Sequence, residues 1–136
     1  MQEGEGREGI RSVEFVVALP EELGTARASV SMLLLEHQMF VWIGDKANPL
    51  LESMHFAIGS KGGRAGGGSE SVTTLFGNRF NALGEKISMR LCKKLGIPVV
   101  SSWNVKTSFP QEELDVLTNL ICKSITDKYM EQHQVS

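Results

Sequence analysis

The sequence predicts an α+β fold: a mainly antiparallel β-sheet with two helices from the C-terminal half packed on one face. Two adjacent apolar runs, Val30–Leu35 and Met39–Ile43, are strand-like and lie so close together that they must form an antiparallel hairpin. Both helical patterns come late, after residue 77. Because no helical crossover separates the early strands, a doubly wound parallel sheet is not expected.

Six segments have the composition of strands, rich in β-branched, aromatic and other apolar residues. The first ends at Pro20, and the second and third meet at a tight turn around Glu36–His37–Gln38. A glycine-rich loop, residues 59–70, precedes the fifth. The predicted strands are Ser12–Leu19, Thr25–Leu35, Gln38–Gly44, Ser53–Ile58, Ser71–Phe76 and Ile97–Val105.

Two later segments carry apolar residues at spacings of three and four, which is typical of a helix with one buried stripe. The first, Asn78–Leu95, ends with Lys93–Lys94 and Gly96, since cations favour the last turn and glycine the C′ position. The second begins at a capping-box pattern, Ser108–Gln111, and runs to about Glu131. The predicted buried stripes are Phe80, Leu83, Ile87, Leu91 and Leu95, then Leu114, Leu117, Ile121, Ile125 and Tyr129.

Length and composition fit one soluble domain. The 136 residues are 41% hydrophobic and 22% charged, which is ordinary for a globular protein. We expect residues 12–131 to form this domain, between a disordered, glycine-rich arm at residues 1–11 and a short tail at residues 132–136. The net charge of -2 argues against a nucleic-acid or anionic-membrane partner. No stretch approaches the ~18 consecutive apolar residues of a membrane span.

The cysteines and histidines form no pattern that supports catalysis or metal binding. Cys92 and Cys122 fall on apolar helix faces and belong to no CxxC pair, so reduced, buried thiols are expected, consistent with the cytoplasm or the nucleus. His37, His55 and His133 are scattered over a turn, a strand and the tail, and His55 is expected to point outward. The sequence therefore predicts no catalytic residue, no cofactor and no metal.

The two hairpin strands do not alternate apolar with polar residues, so both faces of the sheet need to be covered. Two helices can cover about one face. A turn at His37–Gln38 pairs Leu33 with Trp42 and leaves one aliphatic face, expected beneath the helices. The other face mixes aromatic residues with serines, which is typical of an interface. A slip of one residue would regroup the two faces, and the alternative is that all these residues are core. The predicted interface residues are Leu33, Leu35, Phe40, Trp42 and Trp103.

These segments resemble, in the same order, the fourth member of the proteasome assembling chaperone family. The resemblance covers roughly Ala28–Met130. Phe40–Gly44 (FVWIG) is similar to an FLWVG-like run of the family, and Ser71–Gly77 (SVTTLFG) to its STSLLG segment. Val99–Asn104 (VVSSWN) is similar to its VFVSYN strand. The glycine-rich loop at residues 59–70 looks longer than that of the family, and the N-terminal arm is unmatched.

The resemblance implies a non-enzymatic chaperone that forms a heterodimer with the third proteasome assembling chaperone. It also implies that this heterodimer binds proteasome α subunits and helps to build the α ring of the 20S core particle. The family fold is an antiparallel sheet with flanking helices that dimerises through its sheets. Whether the isolated chain forms a homodimer stays open.

Two other classes stay open from the residues alone. A roadblock-like or longin-like scaffold module, serving trafficking or GTPase regulation, would place a helix between early strands, where Pro20–Ala28 is short and broken by Gly24. A thiol or histidine hydrolase would need Cys92, His37 or His55. On the chaperone interpretation, replacing these three residues together leaves function intact.

Overall fold

The computed structural model of the chain describes residues 10–19, 27–45, 49–59, 70–77, 82–105 and 113–135. They form six strands and two helices, and the predicted α+β class is confirmed. The elements are β1 (Arg11–Ala18), β2 (Arg27–Leu34), β3 (Met39–Gly44), β4 (Met54–Gly59), β5 (Glu70–Phe76), α1 (Ala82–Leu95), β6 (Val99–Trp103) and α2 (Leu114–Val135).

The strands form one sheet in the order β1-β2-β3-β6-β4-β5. All neighbouring strands are antiparallel except β3 and β6, which run parallel. Parallel neighbours need a long connection, and the chain between them supplies β4, β5 and α1. Strand β6 is thus inserted near the centre of the sheet, between β3 and β4, which precede it in the chain by tens of residues.

The β2–β3 hairpin has a two-residue loop, closed by a hydrogen bond of 2.9 Å from the Leu35 N–H to the Gln38 carbonyl. Leu33 therefore pairs with Phe40, and the expected pairing with Trp42 is wrong. The turn is centred one residue earlier than expected, which shifts the partner by two residues. A shift of two leaves every side chain on its expected face, since faces alternate with a period of two.

Both helices pack on one face of the sheet, and the side chains between the two layers form the core. The expected aliphatic set of the hairpin is buried there: Val30, Met32, Leu34, Val41 and Ile43. The helices contribute Leu83, Ile87, Leu91, Leu117, Ile121 and Ile125 from the predicted stripes. α1 ends as predicted, because Gly96 has a φ of 73° and its N–H donates to the Cys92 carbonyl at 2.9 Å.

Some expectations concern residues outside the described part of the chain. These are the disordered arm at residues 1–9, the early helix that would favour a roadblock or longin module at residues 20–26, the glycine-rich loop at residues 60–69, and the capping box at residues 108–111. Among the helices that the structure does describe, none is both long enough and apolar enough to span a membrane.

Candidate partner interface

The face of the sheet opposite the helices, called the open face below, carries a continuous row of apolar side chains. The register places Leu33 beside Phe40, Phe40 beside Val100, and Val100 beside Phe56. These four residues, the apolar row, belong to β2, β3, β6 and β4. Ser12 and Thr73 extend the row to the edge strands β1 and β5.

The apolar row is open to solvent. Leu33 is 37% exposed, and the other three members are half-buried. Ile58 and Phe76 lie next to the Phe56 end of the row and are more exposed still, and Val16 is an exposed apolar side chain farther along the same face on β1. A contiguous apolar patch of this kind normally marks an interaction site, because a monomer gains nothing from leaving it in water.

Trp42 sits in the next row of the open face and is held in one orientation. Its indole N–H donates to the Leu50 carbonyl at 2.7 Å. The six-membered ring lies over Gly44, where a Cβ atom would stand 2.7 Å from the ring atom Cζ2 of Trp42. An aromatic side chain fixed near the centre of a sheet face is suited to act as a binding anchor, since little conformational entropy is lost on contact.

A polar network closes one end of the open face, where the parallel strands β3 and β6 end. Ser102 donates from its hydroxyl to the Ser53 carbonyl at 2.6 Å, and the Asn104 side-chain amide donates to the Ser102 hydroxyl at 2.8 Å. The Glu52 N–H donates to the Asn104 Oδ1 atom at 2.7 Å. These bonds hold residues 50–53 against the sheet, so the accessible part of the open face lies toward the apolar row.

The structure brings four of the five predicted interface residues together and separates the fifth. Leu33, Phe40 and Trp42 lie on the open face, and Leu35 follows β2 with the same parity. Trp103 pairs with Ile43 on the helix side and is 6% exposed in the core. The expectation that Trp103 shares a face with Trp42 is wrong, because the parallel β3–β6 register sets the parity of β6.

Sequence reasoning missed Val100 and Phe56, which join Leu33 and Phe40 in the apolar row. Each is apolar and lies in a predicted strand, but their place beside β3 depends on the insertion of β6. Val100 alternates with Trp103, and Phe56 alternates with His55. Assigning Trp103 and His55 to the core would therefore have placed Val100 and Phe56 on the open face.

His55 points into the core, and the expectation that it points outward is wrong. It pairs with Ser101 on the helix side and is fully buried. Its Nδ1 atom lies 3.1 Å from the Thr74 hydroxyl, which donates to the Glu85 carboxylate at 3.2 Å. Burial lowers the pKa of His55, against a smaller opposing effect of the Glu85 charge. The imidazole is therefore kept neutral inside a polar cluster of the core.

Both cysteines are buried thiols, as expected. Burial raises the pKa of the Cys122 thiol to about 12, although the positive charge of Arg90 acts in the other direction. A thiol with so high a pKa does not ionise at neutral pH and is a poor nucleophile. The Cys122 thiol therefore serves as a core side chain.

Comparison with known proteins shows the family and the fold of the chain. A family model described as Proteasome assembly chaperone 4 matches residues 27–105, which is more than half of the chain. A solved structure described as a novel chaperone complex for yeast 20S proteasome assembly has a TM-score of 0.63 and 12% sequence identity. The match covers 90% of this chain and 96% of that one, and at this identity it shows the fold. No curated protein matches significantly. The chain belongs to the proteasome assembly chaperone 4 family.

Proposed function

We propose that this chain pairs through its open face with a related small chaperone, the third proteasome assembling chaperone. We further propose that the pair binds proteasome α subunits and promotes assembly of the α ring of the 20S core particle. A role as a proteasome assembly chaperone follows from the family. This proposal adds three points to that role: the identity of the chaperone partner, the binding of α subunits, and the use of the open face for pairing.

The apolar row is the single observation that carries the pairing. Leu33, Phe40, Val100 and Phe56 stand side by side across four strands of the face that the two helices leave uncovered. A stable interface usually buries about 800 Å² per partner, and one face of a six-stranded sheet is large enough to supply that area. Burying such a row against a second sheet removes apolar surface from water, which is the main favourable term in association.

The structural neighbour supports the second step. It is described as a chaperone complex for 20S proteasome assembly in yeast, so a protein of this fold acts there as part of a complex. An assembly chaperone must also leave its client. We therefore propose that the hydrophobic open face holds the chaperone partner, while polar surfaces meet the α subunits more weakly.

We propose that the role depends on binding and involves no catalysis. His55 is fully buried, and the pKa of Cys122 is raised to about 12, so neither is suited to act on a substrate. Two buried cysteine thiols also suit a reducing compartment, and we propose the cytoplasm and the nucleus as the location.

Leu33 and Met89 offer a matched test, since both are 37% exposed but lie on opposite layers of the molecule. Leu33→Glu puts a charge into the apolar row, whereas Met89→Glu puts the same charge on the outer surface of α1. We expect the mixture of chain and chaperone partner to give the mass of a 1:1 pair in solution for wild type and Met89→Glu. Leu33→Glu should weaken pairing by at least about tenfold, because a buried unpaired carboxylate opposes association.

The readouts are solution mass and recovery of α subunits from cell extract on the tagged chain. Circular dichroism checks that both variants fold. If a folded Leu33→Glu variant pairs as well as Met89→Glu does, the open face is not the pairing surface. If the wild-type chain recovers neither a second small chaperone nor α subunits, the proposed function is wrong.

A further inference from the structure

The two helices lie side by side and run in the same direction, so their facing residues form a regular series. Lys86 of α1 forms an ion pair of 3.5 Å with Asp115 of α2. One turn later, Arg90 donates a hydrogen bond to the Asn119 side chain. Both pairs are separated by 29 residues in sequence. The constant offset makes the next facing pair Lys94 and Lys123.

The charge pattern changes at this third pair. The first two pairs join a cation to a carboxylate or to an amide oxygen, whereas Lys94 and Lys123 are both cations. Lys123 forms an ion pair of 3.2 Å with Asp127 of its own helix, but their side chains are 75% and 63% exposed, so solvent screens this pair. Lys94 has no ion-pair partner among the described residues. Like charges that face one another are unfavourable unless an anion lies between them.

A cavity of about 390 Å³ lies at this position, between the two helices. Its rim carries three cations against one carboxylate, a formal charge of +2 in a chain whose net charge is -2. The buried side chains of Cys122 and Thr126 form part of its wall. The lining residues are Arg90, Lys94, Asn119, Cys122, Lys123, Thr126 and Asp127.

We infer that this cavity, called the basic groove below, binds an acidic segment of a proteasome α subunit; the identity of that client rests on the proposed function above. Arg90, Lys94 and Lys123 supply the positive charge, and the Asn119 amide adds an uncharged donor. A carboxylate seated between Lys94 and Lys123 would supply the anion that the helix pair lacks at this step.

The position of the groove is compatible with pairing. It lies on the helix layer, whereas the apolar row lies on the far side of the sheet, so one molecule can hold its chaperone partner and a client at once. Three exposed cations are few for a nucleic acid, whose binding normally involves many phosphate contacts. Charged contacts that remain near solvent also suit a client that must be released, since they are readily screened and exchanged.

The direct test is a titration of the isotope-labelled full chain, followed by NMR. The probes are an acetylated peptide of six glutamates, the same peptide of six glutamines, and inorganic phosphate. We expect the glutamate peptide alone to shift the signals of Lys94, Asn119 and Lys123. Lys94→Gln combined with Lys123→Gln should weaken its binding by about tenfold, since two solvent-screened ion pairs are lost together.

The matched control is Lys93→Gln combined with Lys128→Gln, which changes the net charge equally on the same two helices, at residues that do not line the groove. Equal weakening by both double variants would mean general charge attraction and would overturn the inference. So would shifts that fall elsewhere, no shifts at all, or binding of phosphate at the same residues as tightly as the peptide, which would indicate a small-anion site.

A second measurement separates this inference from the proposed function. The pair of chaperones is formed with each double variant, its mass is measured, and its recovery of α subunits is compared. We expect the Lys94→Gln, Lys123→Gln pair to form normally and to recover at least about tenfold less α subunit than the control pair. Normal recovery by this pair would overturn the groove as the client site and leave the proposed function standing.

Failure of the wild-type pair to form or to recover α subunits would contradict the proposed function, and with it the assignment of an α subunit as the client of the groove. The peptide titration then decides whether the groove binds acidic segments at all.

Discussion

Gly84 in the first turn of α1 lies directly against the imidazole ring of His55 in β4. A Cβ atom on residue 84 would stand 2.7 Å from the Nε2 atom of that ring, and both residues are buried. The absence of a side chain at residue 84 therefore lets α1 approach the sheet closely enough to cover His55. This contact joins the helix layer to the polar part of the core.

Gly84→Ala is expected to destabilise the protein, although alanine is the better helix former by about 1 kcal/mol. The added methyl group overlaps a ring that is fully buried and hydrogen-bonded to Thr74, and overpacking of this kind costs about 1–3 kcal/mol. Urea unfolding of the two proteins measures the difference. In a His55→Ala background the same change should be neutral or stabilising, because the ring is gone. An equal loss in both backgrounds would show that the ring is not the cause.

The free energy of unfolding is expected to fall as the pH drops below 6.5, the ordinary pKa of histidine. Burial lowers the pKa of His55 in the folded state, so the unfolded chain binds the proton first. The stabilising contribution is complete above pH 6.5, decreases below it, and stops decreasing below the folded-state pKa. Urea unfolding at pH 7.5, 6.5 and 5.5 measures it.

The variant for this test is His55→Asn, which removes the buried titrating group. We expect the pH dependence between 5.5 and 7.5 to become shallower in His55→Asn than in wild type. The same slope in His55→Asn as in wild type would assign the pH dependence to other groups.

The two tryptophans report separately on the two faces of the sheet. Trp42 is half-buried on the open face, whereas Trp103 is buried in the core. In a Trp103→Phe variant, acrylamide quenching of the remaining fluorescence should decrease by at least about twofold when the chaperone partner is added, since the partner excludes solvent from the open face. In a Trp42→Phe variant, quenching should not change. Unchanged quenching of Trp42 in a pair of confirmed mass would place the interface elsewhere.

Cys92 and Cys122 are expected to resist alkylation in the native protein. Iodoacetamide reacts with thiolates, and the pKa of Cys122 is raised to about 12 by burial. Mass spectrometry after treatment at pH 8 should find native protein unmodified and urea-unfolded protein carrying two adducts. Rapid modification of Cys122 in the native protein would contradict this expectation and would mean that the reagent reaches the thiol through the basic groove.

The faces of the hairpin and the stripes of the helices could be predicted from the sequence because both are local. Alternation with a period of two places Val30 and Leu33 on opposite sides of β2 whatever the neighbouring strand is. The error of two residues in the β2–β3 register changed no face for the same reason. The end of α1 at Gly96 was equally local, since it depends on one positive φ and one hydrogen bond.

Only the tertiary structure decided the relationships between segments that lie far apart in the chain. Strand β6 enters the sheet between β3 and β4, and this register sends Trp103 to the core and Val100 to the open face. Alternation with Met54 and Phe56 favoured an outward position for His55, but Thr74 supplies a hydrogen-bond partner for its ring inside the core. Local periodicity says which residues of one element share a face. Which faces then meet is set by packing across the whole sheet, and no single segment contains that information.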